Sequence, residues 1–508
     1  MAPGGNVRWA AVALVVAFGA SGASAQPGRA VADALADCLR QPAGARPYLR
    51  YLSTENVPAG DRATWEAVVS LAVNSLSRGP VVARVPAATP TLLRVDLRDY
   101  KIPTTAWDRL GELGSGRAPV PEPYYHRVTQ TREVKEEVRQ EWWPAGTDKD
   151  GRPYPAGYYP TRYRQKGAAK ALQAHGGWLP KDDLVTLVAM TESEQPVYRA
   201  DWFAYYALLE PRYHELLALG DKEDDFRKLG AADEKAADDE GAQARGAVVF
   251  SEVAPNNRIL QRTPTLRLYG RGWYWRSFDF GSSVSVSDVL ASADAALSDR
   301  SDAHEIIASL KNGLQAYFLS DGKGNRLDRA AVEVARDTRN GFRSVEVEIR
   351  NCFACHGPKG MIPVDDEVRA AAKQPLAAAA GVLKEKDARQ AERFLEKYAA
   401  APLDELLKAD ALQYQQAVRQ ATGLESAAAA AALTKFQKAY ESPLSAADMA
   451  RECGCSEKEL SALVPRVANV DSHVAAAVGA GRRARRDQWE STGFPAVMEA
   501  LTAAKGGK

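Results

Sequence analysis

The chain has 508 residues, 45% of them apolar, and its 66 Lys and Arg stand against 65 Asp and Glu for a formal net charge of +1. That length has room for two to four domains at about 100–200 residues each, and the apolar fraction supports a sizeable core and excludes wholesale disorder. The charge balance gives no reason to expect nucleic acid or an anionic membrane as partner.

Residues 1–25 read as an export signal. Arg8 is the positive n-region, Ala10 to Phe18 is a short apolar run, and Ala23-Ser24-Ala25 is a small-residue cleavage site before Gln26. The run falls short of the roughly 20 residues that span a bilayer. No cysteine near the cut suggests a lipid anchor, and no later stretch is apolar enough to span. The mature chain is therefore expected to be soluble, in the periplasm or secreted.

Residues 26–125 read as an N-terminal α/β region. Ala63 to Leu76 puts Trp65, Val68, Val69, Ala72 and Leu76 on one helical face. Leu92 to Leu97 alternates like a strand, and Thr104 to Asp108 looks like the capped start of a helix. Residues 126–180 form an aromatic and Pro-rich insertion, in which Trp142 to Arg164 is rich in Trp, Tyr, Pro and Gly and reads as extended or turn-rich.

The central region, 181–350, is α+β. A helix is expected from Trp202 to Leu219, broken at Pro211, and Phe226 to Gln243 reads as a charged, solvated face. Glu305 to Ser320 reads as a hairpin around Lys311-Asn312-Gly313, for which Asn-Gly favours a type I′ turn. Asp321 to Arg326 resembles a calcium loop only at its acidic start, because Lys323 stands where a second oxygen is needed; it reads as a turn. Ser344 to Ile349 reads as a strand leading into 351–365. Residues 366–508 carry helical periodicity, with Ala428 to Ala432 a strong helix former. The expected fold class is α+β, a mixed body followed by a mainly helical C-terminal region, with the segment 351–365 at their junction.

That segment carries the chemistry. Asn351-Cys352-Phe353-Ala354-Cys355-His356-Gly357 contains Cys-x-x-Cys-His. Two thiols three positions apart on one helical turn can each add to a vinyl group of one porphyrin, and the adjacent imidazole then faces the iron as proximal ligand. With this chain's own Cys and His frequencies such a match arises by chance about 6 times in 10,000. Its coincidence with an export signal weighs more, since covalent haem is attached outside the cytoplasm. The expected cofactor is one covalent haem c on Cys352 and Cys355, with His356 on the iron.

Two rival chemistries share parts of this motif. A thioredoxin-like site also uses Cys-x-x-Cys after a strand, but Ala354-Cys355-His356 departs from that pattern and a βαβ context is missing. A zinc site could draw on Cys352, Cys355, Cys453 and Cys455, yet the second pair is separated by one residue and lies about a hundred residues away. With two cysteines on haem, Cys38, Cys453 and Cys455 are left. A ring closed between Cys453 and Cys455 would be very tight, so a bridge from Cys38 to one of them is favoured, with connectivity open.

The sixth iron position stays open at this point. Met361 is only five residues beyond His356, and at about 3.3–3.6 Å per residue the tether hardly rounds a porphyrin edge. Met449, Met190 and Met498 are within reach in principle, Met449 reading as a core residue. His214 sits on a helix with an apolar face and reads as core or surface before ligand; His126, His175, His304 and His473 are weaker, and a vacant or water-bound position is the remaining choice.

Val253, Asn256-Asn257-Arg258, Trp273 to Asp279, Asn312-Gly313-Leu314-Gln315 and Asp328, ending in Cys352 to His356, together resemble the large exported bacterial single-haem cytochrome c-like proteins, a family without an established activity. Arg94 to Tyr100 and Arg199 to Phe203 are similar to earlier segments of that group. The resemblance covers most of residues 50–360 and is looser over the C-terminal helices. It implies haem ligation by Cys352, Cys355 and His356 within one large unit, and nothing catalytic. The chain departs from the small cytochromes c in lacking a recognisable downstream Met segment. The expected function is electron transfer with an unnamed redox partner; the alternatives are a peroxidase- or oxidase-like haem enzyme and a haem-based sensor.

Overall fold

Two sheets, of four and five strands, organise a mixed α+β chain. The computed structural model describes residues 29–110, 129–134, 137–140, 146–147, 153–154, 163–165, 168–170, 181–193, 195–248, 258–265, 272–280, 301–329, 349–357, 359–364, 389, 392–393, 403–467 and 472–506. The expected export signal, most of the expected aromatic insertion, Ser344 to Glu348 and most of 366–402 lie outside these residues.

Helix α1 (Arg29–Arg40) leads to β1 (Leu49–Ser53), α2 (Arg62–Ser75), the hairpin of β2 (Ala87–Thr89) and β3 (Leu92–Asp96), and the short helices α3 (Leu97–Tyr100) and α4 (Thr104–Asp108). Three two-stranded ribbons follow: β4 (Thr129–Val134) with β5 (Glu137–Gln140), β6 (Gly146–Thr147) with β7 (Pro153–Tyr154), and β8 (Tyr163–Gln165) with β9 (Ala168–Lys170). Next come α5 (Lys181–Thr191), β10 (Val197–Arg199), α6 (Ala200–Tyr206), α7 (Arg212–Leu216), α8 (Glu223–Leu229) and α9 (Glu234–Asp239). A meander is built from β11 (Ala244–Val248), β12 (Arg258–Thr265), β13 (Gly272–Asp279), β14 (Ala303–Ser309) and β15 (Gln315–Asp321). The C-terminal part is helical: α10 (Ile349–His356), α11 (Leu403–Thr422), α12 (Ser426–Glu441), α13 (Ala446–Glu452), α14 (Glu457–Val467), α15 (Ser472–Gly479), α16 (Arg486–Gln488) and, after a π-helical turn at Trp489–Gly493, α17 (Phe494–Gly506).

The first sheet has the order β10-β1-β3-β2, with β1 parallel to β10 and antiparallel to β3. Successive strand residues point to opposite faces, and here each face meets its own core. Leu52, Leu93, Val95 and Tyr198 join a first core with α2, α6, α7, β14, β15, α11 and α12. Leu49, Tyr51, Leu92 and Val197 join a second core with α1, α5, α13 and α17. The predicted stripe of α2 is buried as expected, and Ala67, Leu71 and Val73 are buried as well, because α2 packs on α6, α11 and α12 at once.

The structure departs from the sequence expectations at four places. In 226–243 the charged Lys228, Asp233, Lys235, Asp238, Asp239 and Glu240 are exposed as expected, but Phe226, Ala232, Ala237 and Gln243 are buried and Glu234 holds Arg276 of the sheet, so the stretch has a core side as well as a solvated one. In the β14–β15 hairpin only Gly313 of 311–313 takes a positive φ, +84°. Gly313 N–H bonds Leu310 O at 3.0 Å and Leu310 N–H bonds Leu314 O at 2.7 Å, a longer loop with a glycine bulge in place of the two-residue type I′ turn. Asn312 is thereby turned inward, donating to Asn74 O and accepting from Leu314 N–H. Ile349 opens helix α10 and does not end a strand. All five cysteines are thiols, with no bridge from Cys38 to Cys453 or Cys455, although Cys38 and Cys453 share the second core. As expected, Pro211 separates α6 from α7, through a cis Glu210–Pro211 bond. Asp321 closes its turn by accepting from Lys323 N–H, Asn325 N–H and the Asn325 side chain. Among the described residues no helix is long and apolar enough to cross a membrane.

Candidate functional site

The Cys-x-x-Cys-His segment is the end of α10, so Cys352, Cys355 and His356 lie within about one helical turn. Ile349 and Phe353 are buried in the first core, Cys352 packs against that core, and Cys352, Cys355 and His356 are half-buried. Helical spacing sets His356 on the same face as Ile349 and Phe353, with Cys352 and then Cys355 stepping round the helix from it.

The chain then folds back on itself. Lys359 N–H and Gly360 N–H both bond His356 O, and the Gly360 carbonyl comes within 3.0 Å of His356 Nδ1. Gly360 has φ of +82°, and a Cβ there would meet Tyr414 Cδ1 at 3.0 Å and Ala411 Cα at 3.1 Å. Glycine is required on both counts, conformation and space. A ring nitrogen facing a carbonyl oxygen must donate to it, so Nδ1 carries the proton and the lone pair of the neutral imidazole lies on Nε2. Metal-ligating histidines hold their second nitrogen in this way.

Helix α11 clamps the segment. Tyr414 Oη donates to Gly357 O, and Gln415 Nε2 donates to Lys359 O at 2.9 Å. The same helix grips the meander: Asp410 takes both bonds of a bidentate pair with Arg262, at 2.7 and 2.8 Å, and accepts from Trp275 Nε1 at 2.8 Å. The facing sheet surface is set by register, with Arg262, Trp275, Ile307 and Tyr317 in one row across four strands and Leu260, Ser277, Glu305 and Leu319 in the next. Tyr317 packs edge-on against Phe353, ring centroids 4.8 Å apart, and its ring lies 6.1 Å from His356. Tyr213 also meets Phe353, while its hydroxyl accepts from Tyr317 N–H on the outer edge of β15.

The surroundings of Cys352 disfavour its thiolate. Burial pushes the Cys352 thiol well above its ordinary pKa, and Glu305, Cys355 and Glu210 push it further. Disulfide-exchange centres need the opposite shift. Glu305 belongs to a polar end of the sheet: Arg258 Nη1 donates to Glu305 Oε2 at 3.4 Å, and Arg258 Nε stands 3.3 Å from Asp279 Oδ1. Burial raises the Asp279 carboxyl, Arg258 opposing and Glu305 adding.

The remaining sequence candidates are placed elsewhere. Met449 and Met498 are buried in the second core and Met190 packs against it, whereas Ile349 and Phe353 belong to the first. Met361 is close to the site but packs on Trp273, Trp275 and Leu407. His214 is 1% exposed, neither ring nitrogen has a hydrogen-bond partner, and burial, with Arg326 adding, lowers it to about 3. Its ring meets Phe318, which leaves β15 on the face opposite to Tyr317, so the sheet edge stands between His214 and His356. His304 is on that opposite face too, its Nδ1 2.6 Å from Glu223 Oε2 and its Nε2 2.8 Å from Ser301 Oγ. His126, His175 and the His473 side chain lie outside the described residues. Cys352 packs on the first core and Cys453 sits in the second, so the four thiols do not gather in one zinc site.

Gly360, Tyr317, Tyr414 and Asp410 escaped the sequence reading. Gly360 alone left a trace, a glycine shortly after a helix end; the others come from residues 40 to 60 positions away and carry no local signal. No family model, no curated protein and no solved structure matches the chain.

Proposed function

We propose that the chain is an exported c-type cytochrome carrying one haem c, attached by thioether bonds to Cys352 and Cys355 and ligated at iron by His356, and that it passes single electrons between partner proteins. The observation that carries this reading is the His356 Nδ1 to Gly360 carbonyl contact at the end of the helix that bears both cysteines. It aligns the imidazole in the tautomer with its proton on Nδ1, the form in which a histidine ligates a metal through Nε2, and the two thiols lie on the same stretch of helix. The raised Cys352 thiol argues against the disulfide-exchange rival. Haem, when bound, supplies one-electron exchange at iron. The chain's part is to hold that group: Phe353 and Tyr317 wall off one side, and the α11 clamp keeps the ligand loop rigid, which keeps reorganisation on electron transfer small.

The test is the mass of protein made in a host with a cytochrome c maturation system. An increment of one haem that survives denaturation and acid–acetone extraction, absent from the Cys352→Ser/Cys355→Ser double variant, supports the reading. Unmodified cysteines in a disulfide or on zinc would overturn it. The mature chain should begin at Gln26. A low-spin ferric spectrum supports electron transfer, and a high-spin one with peroxide turnover supports the enzyme alternative.

A further inference from the structure

A second cluster lies on the face of the meander opposite to Tyr317, where the turn after β15 meets the start of α8. His304 Nδ1 stands 2.6 Å from Glu223 Oε2, and His304 Nε2 stands 2.8 Å from Ser301 Oγ. An ionised carboxylate only accepts, so Nδ1 carries the proton and Nε2 is left to accept from the Ser301 hydroxyl. Hydroxyl, imidazole and carboxylate are joined in the order and polarity that activate a serine for attack.

The carboxylate is held in its charged form. Glu223 Oε2 also accepts from Ser320 Oγ at 2.9 Å, and Glu223 Oε1 accepts from Arg276 Nη1. Burial works against the charge, but His304 and the Arg276 guanidinium outweigh it and hold the carboxyl down at about 2. The imidazole is fixed too, edge-on to Phe278 with ring centroids 5.1 Å apart. Backbone bonds pin the pieces together. Asp302 N–H bonds Asp279 O at 2.8 Å, Gly322 N–H bonds Asp302 O at 2.9 Å, and Glu223 N–H bonds Gly324 O at 2.9 Å. A Cβ on Gly322 would fall 1.9 Å from the Ser301 carbonyl oxygen, so only glycine lets the turn lie this close to the serine.

We propose that Ser301 is a nucleophile for acyl transfer from small esters, with His304 as its general base and Glu223 as the positioning residue. Ser301 Oγ attacks the ester carbonyl carbon as its proton passes to His304 Nε2. The C–O bond to the alcohol breaks, and His304 returns that proton to the departing alkoxide, which leaves an acyl ester on Ser301. Water then attacks the acyl carbon, giving a proton to the same nitrogen. The acid is released, and Ser301 takes the proton back. Ser301 is 8% exposed and lies against the turn after β15, so a short acyl group such as acetyl reaches its hydroxyl where a long one does not. This site uses no residue of the haem reading and stands apart from it.

The test uses the full chain with a fluorophosphonate probe and p-nitrophenyl acetate. The probe should form an adduct that maps to Ser301, and Ser301→Ala should lose both the adduct and the ester turnover. His304→Gln should slow labelling about 100-fold, the low end of what a general base supplies. Glu223→Gln should lower kcat with KM unchanged, because its carboxylate acts through His304 and touches no substrate. If His304→Gln does not accumulate, Ser301→Ala, which removes a single hydroxyl, decides alone. An unlabelled Ser301 in the folded chain, or equal turnover by Ser301→Ala, would overturn the proposal and leave the cluster as a polar brace at the sheet end.

Discussion

Two pairs of cysteines end two helices in this molecule, and they differ in their surroundings as well as in spacing, two intervening residues in one and one in the other. Cys453-Gly454-Cys455 finishes α13 as a helix cap. Gly454 takes φ of +61°, its N–H bonds Arg451 O at 3.1 Å, and Cys455 N–H bonds Ala450 O at 2.9 Å, the paired bonds of a Schellman motif. Cys453 is buried in the second core, and the neighbouring Glu452 is locked by Arg199 at 3.0 Å, Arg486 at 2.6 Å and Trp489 Nε1 at 2.8 Å. The pair at Cys352 and Cys355 is half-buried, is followed by a histidine, and leads into a loop whose glycine returns a carbonyl to that histidine. The one end is finished by its own backbone; the other is finished around a side chain. That contrast, more than the cysteines themselves, marks the second as a site.

The comparison breaks first at Glu452. If that end is scaffold, Glu452→Gln removes the charge that Arg199 and Arg486 share, leaving Arg199 with Asp201 and Arg486 with the Tyr440 carbonyl, and should lower unfolding free energy by about 3 kcal/mol, read from urea midpoints, with haem stoichiometry unchanged. An unaltered midpoint would mean the network holds nothing.

The two histidines sharpen it further. His214, lowered to about 3 in the fold from an ordinary 6.5, takes up its proton in the unfolded chain first. Stability therefore falls as pH drops from 6.5 toward 3, by about 2 kcal/mol between pH 7 and pH 5 on linkage grounds. His214→Leu should remove that share of the pH dependence and leave the haem spectrum alone. A displaced Soret band in this variant would place His214 at the iron and overturn the assignment of faces.

The smallest expected effect is spectral. Met361→Ala empties part of the cluster with Trp273, Trp275 and Leu407 and should cost about 2 kcal/mol as a large-to-small change, yet shift the Soret band scarcely at all. A change of ligand field would show that the short tether from His356 reaches the iron after all.

Cys352, Cys355 and His356 were legible in the sequence because their chemistry is local: a single helical turn brings them together whatever surrounds it. The helix at Arg62–Ser75, the strand at Leu92–Asp96, the break at Pro211 and the C-terminal helices from Leu403 onward were legible for the same reason, since periodicity and a missing N–H act within a few residues. Tertiary structure alone decided the rest. Phe226 looked solvated because its neighbours are charged, and it is buried because Tyr274 and Phe318 rise to meet it from the sheet. Asn312 favoured a type I′ turn by local preference, but its side chain bonds Asn74 O, 238 positions away, and that contact goes with a different turn. Likewise Tyr414 and Asp410 gain their meaning from the docking of one helix on the Cys-x-x-Cys-His segment and the sheet. Such contacts join residues far apart in sequence, so the loop-closure cost of forming each is met only by the fold as a whole, and no short stretch of sequence carries a sign of them.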